Sequence, residues 1–203
     1  FHPATAVGTD LLYAAATKSA GTAVHGAGGT VDWKVVRRLA LGSVPATIVT
    51  LAILSTAGAR FDGTGRIITT TLGAALLATA VAILFRGTIV GYFKRRFPPR
   101  PEPQVMSLTV LLGAILGILV SLSSVGAGAL GMTVLLILYP NLPTNRLVGS
   151  DIAHAVPLTL IAGAGHWMIG SVDFALLGAL LIGSVPGIIL GSLVATRVSD
   201  RVL

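Results

Sequence analysis

Apolar residues run in long blocks along this chain, and polar residues gather between them. The blocks 8–25, 34–57, 67–85, 105–125, 148–167 and 174–198 are each close to the length, about 20 residues, that an α-helix needs to cross a bilayer. Breaker-rich stretches separate them. The loop 58–66 carries glycine and arginine, and 91–104 (GYFKRRFPPRPEPQ) is the one long hydrophilic stretch, its prolines marking a linker. A seventh block, 130–139, is apolar but short, about 15 Å at 1.5 Å per residue. It is expected to form a half-helix or re-entrant arm. The pattern predicts an all-α polytopic membrane protein.

Composition sharpens this. Hydrophobic residues make up 54% of the chain and charged residues 10%, with a mean hydropathy of +0.90, whereas a soluble domain carries about 25% charged residues. A polar shell cannot be built from so few charges, so the class of soluble globular proteins is excluded. Cysteine is absent, which excludes disulfides and thiolate metal sites. The net charge of +7 belongs to loops rather than to a nucleic-acid surface. With the linker placed in the cytoplasm, Lys34, Arg37, Arg38, Arg86, Lys94, Arg95, Arg96, Arg100, Arg146, Arg197 and Arg201 all lie inside. Arg60 and Arg66 lie outside, and Lys18 falls within a span. This is the positive-inside bias of a multi-pass membrane protein. Its expected partners are the lipid bilayer and a possible second copy of itself, with no nucleic acid.

The chain repeats. Residues 7–48 align with 148–189 without a gap, at a constant offset of 141. Gly8-Thr9-Asp10 meets Gly149-Ser150-Asp151, His25 meets His166, Val31-Asp32 meets Val172-Asp173, and the GSVP of 42–45 meets that of 183–186. A duplication organises the chain into a first repeat (1–90), a cytoplasmic linker (91–104) and a second repeat (105–203), together one transmembrane domain. If the short arm returns the chain to the cytoplasmic side, 8–25 runs inward and 148–166 outward. The repeats then have inverted topology, an architecture that places a transporter's substrate near the midplane. The helices before the second copy and after the first have counterparts that would fall before Phe1 and past Leu203, so segments are expected to be missing at both ends.

Several motifs read first as structure. Asp32 and Asp173 are N-caps, with Val31–Val36 and Val172–Leu177 spaced as hydrophobic staples. Pro45 and Pro186 kink their helices. Gly183, Gly187 and Gly191, like Gly113 and Gly117, form small-residue packing faces. Others point to chemistry. The paired Gly-Thr-Asp and Gly-Ser-Asp segments open spans, where free N–H groups and the hydroxyls of Thr9 and Ser150 can meet an anion. Asp10 and Asp151 can carry protons, as can His154, one turn from Ser150 and Asp151. SLSSVGAGALG (121–131) places Ser123, Ser124, Gly126 and Gly128 where a long helix gives way to a short one, and irregular backbone at that depth must line a cavity or be packed. Lys18 is an ionisable residue inside a span, with His25 on the same face. His166, beside Trp167, is expected at an interface. No two histidines have metal-ligand spacing, so neither metal nor cofactor is expected.

These blocks resemble the TauE/SafE family of bacterial sulfite and organosulfonate transporters. The resemblance rests on VGTDLLYAAATK, the His25 to Asp32 segment, both GSVP motifs, SLSSVGAGALG and the second VGSD…H…VDF. The family's denser Gly-Gly-Gly arm is diluted here to Gly126-Ala-Gly128-Ala-Leu-Gly131. The resemblance implies a secondary transporter, not an enzyme, that moves small sulfur-containing anions such as sulfite or sulfonates and is coupled to an ion gradient. The expected substrate-binding residues are Lys18, Thr9, Tyr13, Ser123, Ser124, Gly126, Gly128 and Ser150. The expected proton-coupling residues are Asp10, Asp151 and His154. Two rival readings remain: an aspartyl-protease-like intramembrane enzyme, whose two Gly-x-Asp carboxylates would have to meet, and an anion channel.

Overall fold

A computed structural model describes residues 2–58, 64–96, 98, 100–126 and 128–195. Among them it contains eight helices and no strand: α1 (Pro3–Ala27), α2 (Trp33–Gly58), α3 (Thr64–Leu84), α4 (Arg86–Arg96), α5 (Glu102–Ser123), α6 (Ala129–Leu138), α7 (Thr144–Met168) and α8 (Phe174–Ala195). Five are long and apolar enough to cross a membrane: Trp33–Thr56, Arg66–Leu84, Glu102–Ser123, Thr144–Met168 and Phe174–Val194. α1 is as long as α7 but carries Asp10 and Lys18 among its apolar residues. Arg60, Arg197, Arg201 and the end of the block 174–198 lie outside the described residues.

The helix starts follow from their caps. Asp32 Oδ1 accepts the N–H groups of Lys34 (3.0 Å) and Val35 (3.3 Å) at the head of α2. Asp173 Oδ1 accepts that of Leu176 (3.0 Å) at the head of α8. These satisfy N–H groups that a helix start otherwise leaves unpaired. The stretch 91–104, expected as a linker, is helical at both ends. α4 continues to Arg96, with Lys94, Arg95 and Arg96 in its last turn, where cations suit the helix dipole. α5 then starts at Glu102 behind Pro101 in extended conformation.

α1 and α7 lie antiparallel, the start of each against the end of the other. A Cβ added at Gly8 would collide with the Ser171 carbonyl and His166, and one at Gly149 with the Thr30 carbonyl and His25 Nδ1. Only glycine permits so close an approach. α2 and α5 lie parallel and equally close: Gly42 sits under Val110, Gly113 against the Leu39 carbonyl and Gly117 against the Ser43 carbonyl. The expectation for Gly113 and Gly117 is met by α2. In contrast, nothing lies within 4 Å of a Cβ added at Gly183, Gly187 or Gly191, so the small-residue face of α8 packs on no described residue. Accordingly, 61% of the apolar window of α7 is buried inside the molecule and none of that of α8. α7 is the central helix and α8 a peripheral one.

The two ends of the bundle differ chemically. At one end the head of α2, the head of α5, the tail of α6 and the head of α7 meet. Glu102 bonds to Arg38 and to Lys34, Arg38 Nη1 donates to the Tyr139 hydroxyl (3.2 Å), and Arg146 lies 3.9 Å from Asp32. α6 therefore ends on the side where α5 begins. At the other end Trp167 and Phe174 stack edge to face, with centroids 6.2 Å apart. Large apolar side chains exposed along the helices between, among them Ile53, Leu77 and Leu190, suit lipid contact.

Candidate functional site: the break between α5 and α6

The long helix α5 stops because Ser124 takes a left-handed conformation (φ 57°) and Gly126 follows at φ 117°. Ser123 stabilises the break: its hydroxyl donates to the Leu119 carbonyl (2.7 Å) and accepts the Val125 N–H (3.2 Å). α6 then restarts. The Gly131 and Met132 N–H groups bond back to the carbonyls of Gly126 (3.2 Å) and Gly128 (3.0 Å). The N–H groups of Ala129 and Leu130, ahead of these, have no intrahelical acceptor. The break thus joins the carbonyl end of one helix to the N–H end of another.

Charged groups surround it. Ser124 Oγ donates to Asp10 Oδ2 at 2.6 Å, tying α1 to the break. A cavity of about 430 Å³ opens on the first turn of α6, lined by Ile83, Arg86, Gly128, Ala129, Met132 and Thr133. Arg86, counted in the sequence among the cytoplasmic charges, stands at the junction of α3 and α4 beside the start of α6, where α3 and α4 run on almost continuously. Its signal in the sequence was a single charge between two apolar runs.

Asp151 lies on the other side of the same turn. It is 7% exposed, its Oδ1 approaches Gly131, and that oxygen has no hydrogen-bond partner among the described residues. One turn along, His154 is fully buried. Its Nε2 lies 2.8 Å from Ser43 Oγ, and its Nδ1 has no partner among the described residues. Ser43 comes from the first GSVP motif and was read from sequence only as part of a packing segment. Lys18 on α1 is half-buried and forms no ion pair among the described residues. In the antiparallel pairing of α1 and α7, where residue 8 faces 166 and residue 25 faces 149, it lies level with the turn that follows His154. Tyr13 is half-buried on the same helix, its carbonyl accepting the Thr17 hydroxyl (2.9 Å).

Two expected site residues are engaged elsewhere. Thr9 is buried and its hydroxyl accepts the Asp173 N–H at 2.9 Å, while Ser150 is buried and accepts the Asp32 N–H at 2.8 Å. Neither hydroxyl points to the break, because each is taken by the loop of the opposite repeat. His25 and His166 serve the same two joints. His25 Nδ1 bonds to the Thr30 hydroxyl (2.8 Å), and His166 Nε2 donates to the Ser121 carbonyl (3.0 Å). His166 is fully buried, beside Trp167 near the end of α7. Asp10 and Asp151 do not form a pair. Since residue 8 faces 166 and residue 25 faces 149, the two carboxylates differ by about 20 Å in depth at 1.5 Å per residue, which removes the protease reading.

Comparison with known proteins agrees with a membrane transporter. The family model described as "Sulfite exporter TauE/SafE" matches residues 1–203. The "Probable membrane transporter protein YjnA" of Bacillus subtilis (strain 168) is 36% identical over 203 residues, covering all of this chain and 80% of the relative. No solved structure matches. Both descriptions name transporters, in keeping with the expectation that this is no enzyme. The chain is a multi-pass membrane protein that belongs to the TauE/SafE family of membrane transporters.

Proposed function

We propose that the chain carries small sulfur-containing anions, such as sulfite or short sulfonates, across the bacterial inner membrane, with protons as the coupling ion and the basic 91–104 segment in the cytoplasm. The observation that carries this reading is the first turn of α6. Its N–H groups, which have no intrahelical acceptor, open on a cavity beside Arg86, and behind it lies the Asp151 carboxylate, whose Oδ1 has no partner among the described residues. An anion leaving water must recover its lost hydrogen bonds. A half-helix N-terminus supplies N–H groups and a favourable dipole, Gly126 and Gly128 allow close approach, and Ser123 and Ser124 line the break. Arg86 and Lys18 add attraction from two sides, with Tyr13 on the Lys18 helix.

Asp151 links the anion to a proton. An ionised carboxylate at the head of α6 would occupy the field an anion needs and repel it. A proton on Asp151 removes that repulsion, so anion and proton each favour binding of the other. His154, hydrogen-bonded to Ser43, stands one turn away as the next proton carrier, and Asp10 serves the Ser124 side. The antiparallel packing of α1 and α7 supports the inverted-repeat reading, in which the two halves rock about a fixed site. In this reading Thr9 and Ser150 hold the joints rather than the substrate. The test is sulfite flux into proteoliposomes under an imposed pH gradient. A saturable flux that follows the gradient and exchanges with internal sulfite supports it. A non-saturable conductance indifferent to the gradient contradicts it.

A further inference from the structure

A second cavity lies on the Glu102 end of the bundle, far from the α5–α6 break. It holds about 370 Å³ between the end of α4, the start of α5 and the tail of α6, and its wall includes Lys94, Arg100, Tyr139 and Asn141. It adjoins a groove of about 300 Å³ that runs along α5 and α6 over Leu108, Leu111, Ile115 and Val134. The two share Phe93, Arg100, Ile137 and Leu138, so the polar chamber opens directly into the apolar furrow. The groove wall faces outward: Leu111 is 55% exposed and Ile115 46%. Tyr92 and Phe93 stack edge to face beside it, with centroids 5.8 Å apart, and paired aromatics of this kind mark the level where bilayer meets water.

We infer that this composite cavity binds an anionic phospholipid, the phosphate in the Lys94–Arg100 chamber and one acyl chain along the α5–α6 groove. Charge favours an anionic headgroup over a neutral one. Among the described residues the one carboxylate on the wall, Glu102, is bonded to Lys34 and Arg38, and the same wall carries Lys94 and Arg100. Shape favours a lipid over a free anion, because a free phosphate makes no use of an apolar groove about two helical turns long. Basic pockets between helices on the cytoplasmic side suit such headgroups. The site also bears on α6, whose tail forms one wall of the chamber and whose head forms the break. A bound lipid would thus hold the arm from the opposite end to the substrate.

Native mass spectrometry of the full chain in detergent, titrated with phosphatidylglycerol or phosphatidylcholine, tests this. Phosphatidylglycerol should bind at least tenfold more tightly. Lys94→Gln with Arg100→Gln should weaken it roughly twenty- to thirtyfold, at about 1 kcal/mol per basic residue, and leave phosphatidylcholine unchanged. Ile115→Trp, which fills the groove without touching the charges, should weaken both lipids, and inorganic phosphate should displace neither. Equal binding of the two lipids by the parent chain would overturn the inference. So would unaltered lipid binding in the Ile115→Trp variant, or displacement of phosphatidylglycerol by millimolar phosphate, which would mark a site for free anions instead.

Discussion

The Thr9 hydroxyl accepts the backbone N–H of Asp173 at 2.9 Å. Its repeat counterpart, Ser150, accepts the backbone N–H of Asp32 at 2.8 Å. Each copy of the duplicated segment thus holds the loop of the other, across two joints where Gly8 and Gly149 let the chains touch. Thr9→Val or Ser150→Ala removes the accepting hydroxyl without adding bulk and strands a half-buried N–H. Each should destabilise the folded protein by about 1 kcal/mol, and the double variant by nearly the sum, since the joints share no partner. Thermal unfolding in detergent measures this. Parent-like midpoints in all three variants would show that the joints bear no load.

The glycines of the two GSVP motifs should respond differently despite their identical sequence. A Cβ at Gly42 would run into the Val110 carbonyl and Ala114, whereas one at Gly183 meets nothing within 4 Å. Gly42→Ala should sharply lower the yield of folded protein, with a cost on the scale of core overpacking, about 1–3 kcal/mol. Gly183→Ala should be near neutral. Size-exclusion profiles of the purified variants decide it, and equal losses would mean that α8 is as tightly covered as α2.

Asp151→Asn should uncouple the carrier. The side chain keeps its size but no longer exchanges a proton, so sulfite exchange should persist while flux driven by a pH gradient falls at least tenfold. Asp10→Asn, whose parent carboxylate is exposed and bonded to Ser124, should have a smaller effect. Retention of the parent pH response in both variants would leave the two aspartates as structural groups.

Much of this architecture was legible in the sequence. The duplication was visible as aligned blocks, and the Asp32 and Asp173 caps as local patterns, because capping depends only on residues a turn apart. The use of Thr9 and Ser150 was not legible, since a hydroxyl at a helix start looks the same whether it faces a ligand or a loop 164 or 118 residues away. The place of Arg86 beside the break was not legible for a related reason. Positive-inside counting assigns charges to loops, and only the packing of α3, α4 and α6 brings that guanidinium beside the break. His154 was read as a proton carrier, but its partner Ser43 lies 111 residues away, a pairing that depends on how α2 crosses α7.

The most direct measurement is the concentration dependence of sulfite transport in proteoliposomes for the parent, Arg86→Gln and Lys18→Ala. A charge-assisted contact is worth roughly 1.5–3 kcal/mol. If the anion sits at the head of α6 between these two cations, Arg86→Gln should raise the apparent substrate constant at least tenfold in a normally folded protein. Lys18→Ala should raise it by a smaller factor, because the lost attraction is partly offset by easier protonation of Asp151. Parent-like constants in both variants would contradict the account and place the anion elsewhere.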